Sequence, residues 1–163
     1  MEPVSSPLKV RERKGHLSAQ DKAGATVLEG GREGTGDFVA TSANGRWRIG
    51  SQVSDARGKH VPVFDAANRE VATLRSPGRG EHAIELPTGE SFLASGSKWS
   101  TKGFALTIGE LASAKAPFFA PQRYFTLTLT DRLLSRPDRE LLAAICMWMA
   151  ESHISMAIIN RTD

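Results

Sequence analysis

Residues 141–150 are all apolar, and this run limits the architecture more than any other feature of the chain. It reads Leu141, Leu142, Ala143, Ala144, Ile145, Cys146, Met147, Trp148, Met149, Ala150, a composition that favours helix. Ser135, Pro137, Asp138 and Glu140 ahead of it predict a helix start: a serine cap, a proline in the first turn, and carboxylates at the positive end of the dipole. A helix that is oily on every side cannot lie on a surface. Crossing a bilayer takes about 20 mainly apolar residues, whereas Glu151, Ser152 and His153 interrupt this run before residues 154–159 resume it. A carboxylate at mid-bilayer costs about 2.5–3.5 kcal/mol even on lenient scales. The segment is therefore expected in the protein interior, with no transmembrane span.

Burying each large side chain of the run is worth about 1.5–3 kcal/mol, against a whole-domain stability of about 5–15 kcal/mol. The rest of the fold must supply the enclosure. The other regular structure legible in the chain is β. Residues 38–41 and 46–49 flank Ser42, Ala43, Asn44 and Gly45, where Asn-Gly signals a tight hairpin turn. Residues 61–64 and 71–74 flank Asp65, Ala66, Ala67 and Asn68; residues 83–86 and 91–94 flank Pro87, Thr88 and Gly89. Residues 103–108 read as a further strand, and in 124–130 Phe125, Leu127 and Leu129 alternate with threonines. These strands are expected to surround the helix as a closed barrel or a strongly curled sheet.

A length of 163 residues suits one domain. Residues 1–36 mix Pro, Ser, Gly and charges without periodicity, which predicts a flexible, disordered tail and a folded unit over 37–163. Within that tail Lys9, Arg11, Arg13 and Lys14 form a small basic cluster interrupted by Glu12, read as solvated. With 21 Lys and Arg against 18 Asp and Glu, the net charge is only +3, which does not point to nucleic acid. One cysteine, in an apolar run, and no apolar stretch near Met1 make a cytoplasmic setting the default expectation.

Chemical signatures are sparse. His16, His60, His82 and His153 are scattered without zinc-site spacing, so no metal and no cofactor is expected. The glycines of 30–36 lack a phosphate-loop ending, and Cys146 has no general base in view, so no catalytic residue is assigned and the chain reads as non-enzymatic.

Strand pairs with short Asp, Asn or Gly turns followed by one oily terminal helix carry a likeness. Its stretches are Val63-Phe64-Asp65-Ala66-Ala67-Asn68-Arg69-Glu70-Val71-Ala72-Thr73-Leu74, then Tyr124-Phe125-Thr126-Leu127-Thr128-Leu129-Thr130-Asp131, then Arg139-Glu140-Leu141-Leu142-Ala143-Ala144-Ile145. Over residues 37–159 the chain resembles the tubby-like superfamily, which includes phospholipid scramblases and LURP-one-related proteins. The resemblance implies a mainly β fold, an antiparallel barrel enclosing its C-terminal helix. It also implies a binding role toward phospholipid headgroups or a protein partner. Tubby proteins use basic side chains on the barrel, for which Arg46, Arg48, Lys98 and Lys102 are the candidates here. The chain lacks the acidic calcium segment and the cysteine cluster of scramblases, so scrambling, calcium binding and lipidation are not carried over. The alternatives are a small-ligand carrier or small enzyme, with a site where loops 54–59 and 76–81 meet at the barrel mouth, and a purely structural or regulatory interaction module.

Overall fold

The computed structural model describes residues 1–34, 36–78, 81–96, 103–117 and 124–162, with the side chains of 77–78, Glu81 and 155–162 left aside. Among the described residues thirteen strands and two helices follow in order. They are β1 (Leu8–Arg13), β2 (His16–Gln20), β3 (Thr26–Glu33), β4 (Asp37–Ser42), β5 (Gly45–Ile49), β6 (Val53–Asp55) and β7 (Gly58–Phe64), then β8 (Glu70–Gly78), β9 (Glu81–Glu85), β10 (Ser91–Gly96), β11 (Phe104–Ile108), β12 (Ala112–Ala116), β13 (Tyr124–Leu129), α1 (Asp131–Leu134) and α2 (Arg139–Thr162). Each strand runs antiparallel to its neighbour, β13 pairs back onto β1, and β5 pairs with β7, which closes a twelve-stranded barrel. The short β6 folds against β7 beside that closure.

The apolar run of α2 lies inside. Leu142, Ala143, Ile145, Cys146, Met147 and Ala150 are wholly buried, and Trp148 packs against the core half-buried. The helix touches β3, β4 and β5 on one side and β11 and β12 on the other, as an enclosed axis must. Room for it comes from small inward residues: Ala19, Ala40, Ala94, Ala112 and Ala114 are all buried on the inner faces of their strands. That explains why β12, with the sequence Ala-Ser-Ala-Lys-Ala, carries no strand signal in its composition. None of the described helices is long and apolar enough to cross a membrane.

The largest correction concerns residues 1–36. Instead of a flexible tail, they contribute β1, β2 and β3, and β1 is the strand that seals the barrel against β13, with Leu8 opposite Leu127 and Val10 opposite Phe125. The turn between β1 and β2 is Lys14-Gly15, both at positive φ (53° and 81°), the geometry of a two-residue hairpin turn. The glycines of β3 are there for packing: a Cβ on Gly30 would sit 2.3 Å from the Phe38 ring of the adjacent β4. Gly45 is a second case. The Asn44-Gly45 pair does not occupy the left-handed region; the hairpin turns at Ala43 and Asn44, and Gly45 leaves room for the Trp47 ring, 2.4 Å from where its Cβ would be.

The other hairpins form as expected. Asp65 Oδ1 accepts from the backbone N–H of Ala67 and Arg69 while Asn68 takes φ 61°, and Gly89 takes φ 93°. The helix start differs in detail. Ser135 caps the C-terminus of α1, whose N-cap is Thr130, and α2 begins four residues later.

Candidate functional site

The basic cluster of β1 acquires a geometry that its linear order hides. Leu8 and Val10 point into the barrel, so Lys9, Arg11 and Arg13 point out, about 6.6–6.8 Å apart on alternate positions of one strand. Glu12 alternates to the opposite face, where its Oε1 accepts the Gly15 N–H at 2.7 Å. Register places Gln20 and Thr126 beside Lys9, Ser18 and Tyr124 beside Arg11, and His16 beside Arg13. Lys115 of β12 stands in the same row as Lys9, across Thr126. The Lys9 ammonium lies 4.7 Å from the Tyr124 ring centre. None of Lys9, Arg11, Arg13, Lys14 and Lys115 forms an ion pair with a described carboxylate, and all five are exposed.

Arg46 and Arg48 also share an outer face, that of β5, but each is matched. Arg46 Nη2 lies 2.9 Å from Glu33 Oε2. Arg48 Nη1 lies 2.7 Å from Asp37 Oδ2, and its guanidinium covers the Phe64 ring at 4.3 Å. The structure thus brings these two together as neutralised pairs. Lys98 and Lys102, the other two expected members of that patch, lie outside the described residues, as do Trp99, Phe118 and Phe119.

Near one barrel rim the β6–β7 hairpin meets β8, where Arg75 donates to the Arg57 carbonyl. A cleft of about 290 Å³ opens there between Arg57, Glu70, Thr73, Arg75, Glu85 and Pro87. Its charges answer one another, Arg75 to Glu85 at 2.7 Å and Arg57 to Glu70 at 3.5 Å. The buried His60 ring is held by Arg57 Nη2 at 2.9 Å and by the Gly58 carbonyl at 3.1 Å, so Nδ1 donates and Nε2 accepts. The Arg57 backbone N–H bonds the Asp55 carboxylate and holds its pKa below the usual carboxylate range. Arg57, Glu70, Arg75, Glu85 and His60 are thereby engaged with one another or with backbone.

Cys146 is wholly buried in α2, and loss of hydration pushes its thiol up to about 12, which keeps it protonated. His153 turns its ring against His82 of β9. No sequence signal links these two, because they stand 71 positions apart on different elements. Among the described residues no three His, Cys, Asp or Glu side chains gather in a metal-binding group.

Comparison with protein-family models, curated proteins and solved structures yields no match.

Proposed function

We propose that this barrel is a non-enzymatic binding module that docks through the outer face of β1 onto an anionic phospholipid surface. The observation that carries this reading is the row of unpaired cations on a rigid strand. Lys9, Arg11 and Arg13, with Lys14 at the turn and Lys115 alongside, form no ion pair with a described carboxylate; Glu29 of β3 stands in the row of Arg11 across Ser18 without reaching it. Each cation held near an anionic bilayer contributes about 1 kcal/mol. Neighbours closer than the Debye length of about 8–10 Å act together. A flat strip of this kind fits a headgroup layer, whereas a single-stranded nucleic acid wants open aromatic faces, and Lys9 already lies over the ring of Tyr124. The likeness to tubby-like proteins supports the same class of ligand, on a different strand from β5. A cytoplasmic setting accords with it, since the anionic leaflet faces that compartment.

The test is co-sedimentation of the full chain with phosphatidylcholine vesicles with and without phosphatidylserine. Binding should require the anionic lipid and weaken with salt. Replacing Lys9, Arg11 and Arg13 by serine should lower affinity about 100-fold, three cations at about 1 kcal/mol each, while Arg46→Ser with Arg48→Ser should change it less than about threefold. Equal binding to pure phosphatidylcholine, or dependence on the β5 arginines instead, would overturn the reading; tighter binding to duplex DNA than to vesicles would reassign the face to nucleic acid.

A further inference from the structure

A bilayer is flat and the barrel wall is curved, so only part of the wall beside β1 can share its contact with a headgroup layer. Twelve strands in a closed ring turn by about 30° from one to the next, and a strand three places from the line of contact faces sideways. Contact therefore reaches about two strands to either side of its centre.

The two sides of β1 differ. Toward β12 the outward residues are Tyr124, Thr126 and Thr128 of β13, then Ser113 and Lys115 of β12, with no carboxylate among them. Toward β4 stand His16, Ser18 and Gln20 of β2, then Glu29 and Glu33 of β3. Lys115 lies in the row of Lys9 across Thr126, and Glu29 lies in the row of Arg11 across Ser18. Each is two strands from β1, about 9–10 Å away. The distances match and the charges are opposite. An anionic layer attracts the first and repels the second, so the barrel settles by rolling about β1 toward β12.

That roll brings the row of Lys115, Thr126 and Lys9 to lie evenly about β13. On the centre line Thr126 and Thr128 are exposed, and their hydroxyls can donate to phosphodiester oxygens. Tyr124 is half-buried on the same line, with the Lys9 ammonium 4.7 Å from its ring centre. Tyrosine is suited to headgroup depth, because its ring is apolar and its hydroxyl polar.

We propose that β13 is the centre line of the docking face. Phospholipid headgroups meet the outer surfaces of β12, β13 and β1 together, with Lys115 on one flank, Lys9, Arg11 and Arg13 on the other, and β3 turned away. This rests on the lipid reading of the β1 cations and adds the direction of roll and the contacts of two further strands.

The test uses two matched pairs of variants of the full chain on phosphatidylcholine vesicles containing phosphatidylserine. Lys115→Ser and Glu29→Ser alter the net charge by one in opposite directions at equal distances from β1. Lys115→Ser should weaken binding about fivefold, the worth of one cation near the surface, and Glu29→Ser should change it less than about twofold. Thr128→Cys on β13 and Thr41→Cys on β4, four strands from β13, then carry an environment-sensitive fluorophore. Cys146 is wholly buried and does not compete for the label. On vesicles the emission of the label at position 128 should shift to the blue and that at position 41 should stay in place. Affinity changes of the same size and opposite sign in the first pair, or a shift at position 41 without one at position 128, would overturn β13 as the centre while the lipid reading stands. An unmodified chain that binds phosphatidylcholine alone just as well would overturn the lipid reading and this one with it.

Discussion

Strands β1 and β5 carry basic side chains at the same spacing, Arg11 and Arg13 on one, Arg46 and Arg48 on the other, yet their outer faces end in opposite electrostatic states. On β5 the acids of β3 and β4 reach both guanidiniums, Glu33 to Arg46 and Asp37 to Arg48. On β1 the cross-strand neighbours are Ser18, Gln20, Tyr124 and Thr126, and among the described residues no carboxylate pairs with its outward cations. Glu12, adjacent in sequence, is on the wrong face to help. On β5 the compensation comes from acids of neighbouring strands reached off-register, since the residues directly opposite Arg46 and Arg48 are Thr41 and Val39. The outer face of β1 keeps its cations exposed, whereas that of β5 engages them in ion pairs.

Three experiments would break or sharpen that contrast. The largest effect should come from the inner face of β1. Val10 is wholly buried between Lys9 and Arg11, and Val10→Asp places an unpaired charge in the barrel wall. It should lower unfolding free energy by about 3–5 kcal/mol in urea titration, the scale of an uncompensated buried charge. A cost under about 1 kcal/mol would mean that β1 is not part of the barrel.

The second exchanges the two faces. Ser18→Glu supplies β1 with the carboxylate that β5 has, opposite Arg11, and should weaken binding to anionic vesicles about fivefold, about 1 kcal/mol. Asp37→Asn frees Arg48 on β5, four strands away round the barrel. It should leave vesicle affinity within about twofold although the net charge rises, and lower stability by about 0.5 kcal/mol, the scale of a partly exposed ion pair. Equal and opposite changes in affinity would show that overall charge, not the β1 face, governs binding.

The smallest effect concerns acid stability. Two side-chain hydrogen bonds from Arg136 and one from Thr88 lower the Glu90 pKa from 4.5 to about 2. A depressed folded-state pKa contributes stability that is present above about pH 4.5 and lost as pH falls toward 2. Glu90→Gln should lower stability slightly near neutral pH, flatten the acid limb in that window and match the parent chain below about pH 2. An unaltered acid limb would show the exposed pair to be inert.

Much of the barrel can be read from local chemistry. The Asp65–Asn68 turn, the Gly89 turn and the alternation of Phe125, Leu127 and Leu129 each follow from what those side chains do to their own backbone. The first three strands escape such reading for a physical reason. Gly30 marks close packing against Phe38, and the inward positions of β2 and β3 are short or interrupted, so their pattern resembles flexible chain until a partner strand is beside it. The candidate sites divide likewise. The β1 cations are visible as a cluster, but their common face appears only once β1 is a strand. The meeting of His82 with His153 depends on a helix and a strand far apart in the chain.

What the sequence determined by itself is that residues 141–150 must be hidden, and that a β structure had to hide them, because hydration cost and helical periodicity are properties of the segment alone. Only the tertiary structure decided that β1 closes the ring, which arginines are neutralised, and which histidines touch. Those outcomes turn on distances between residues remote in the chain, and strand register and barrel closure set such distances.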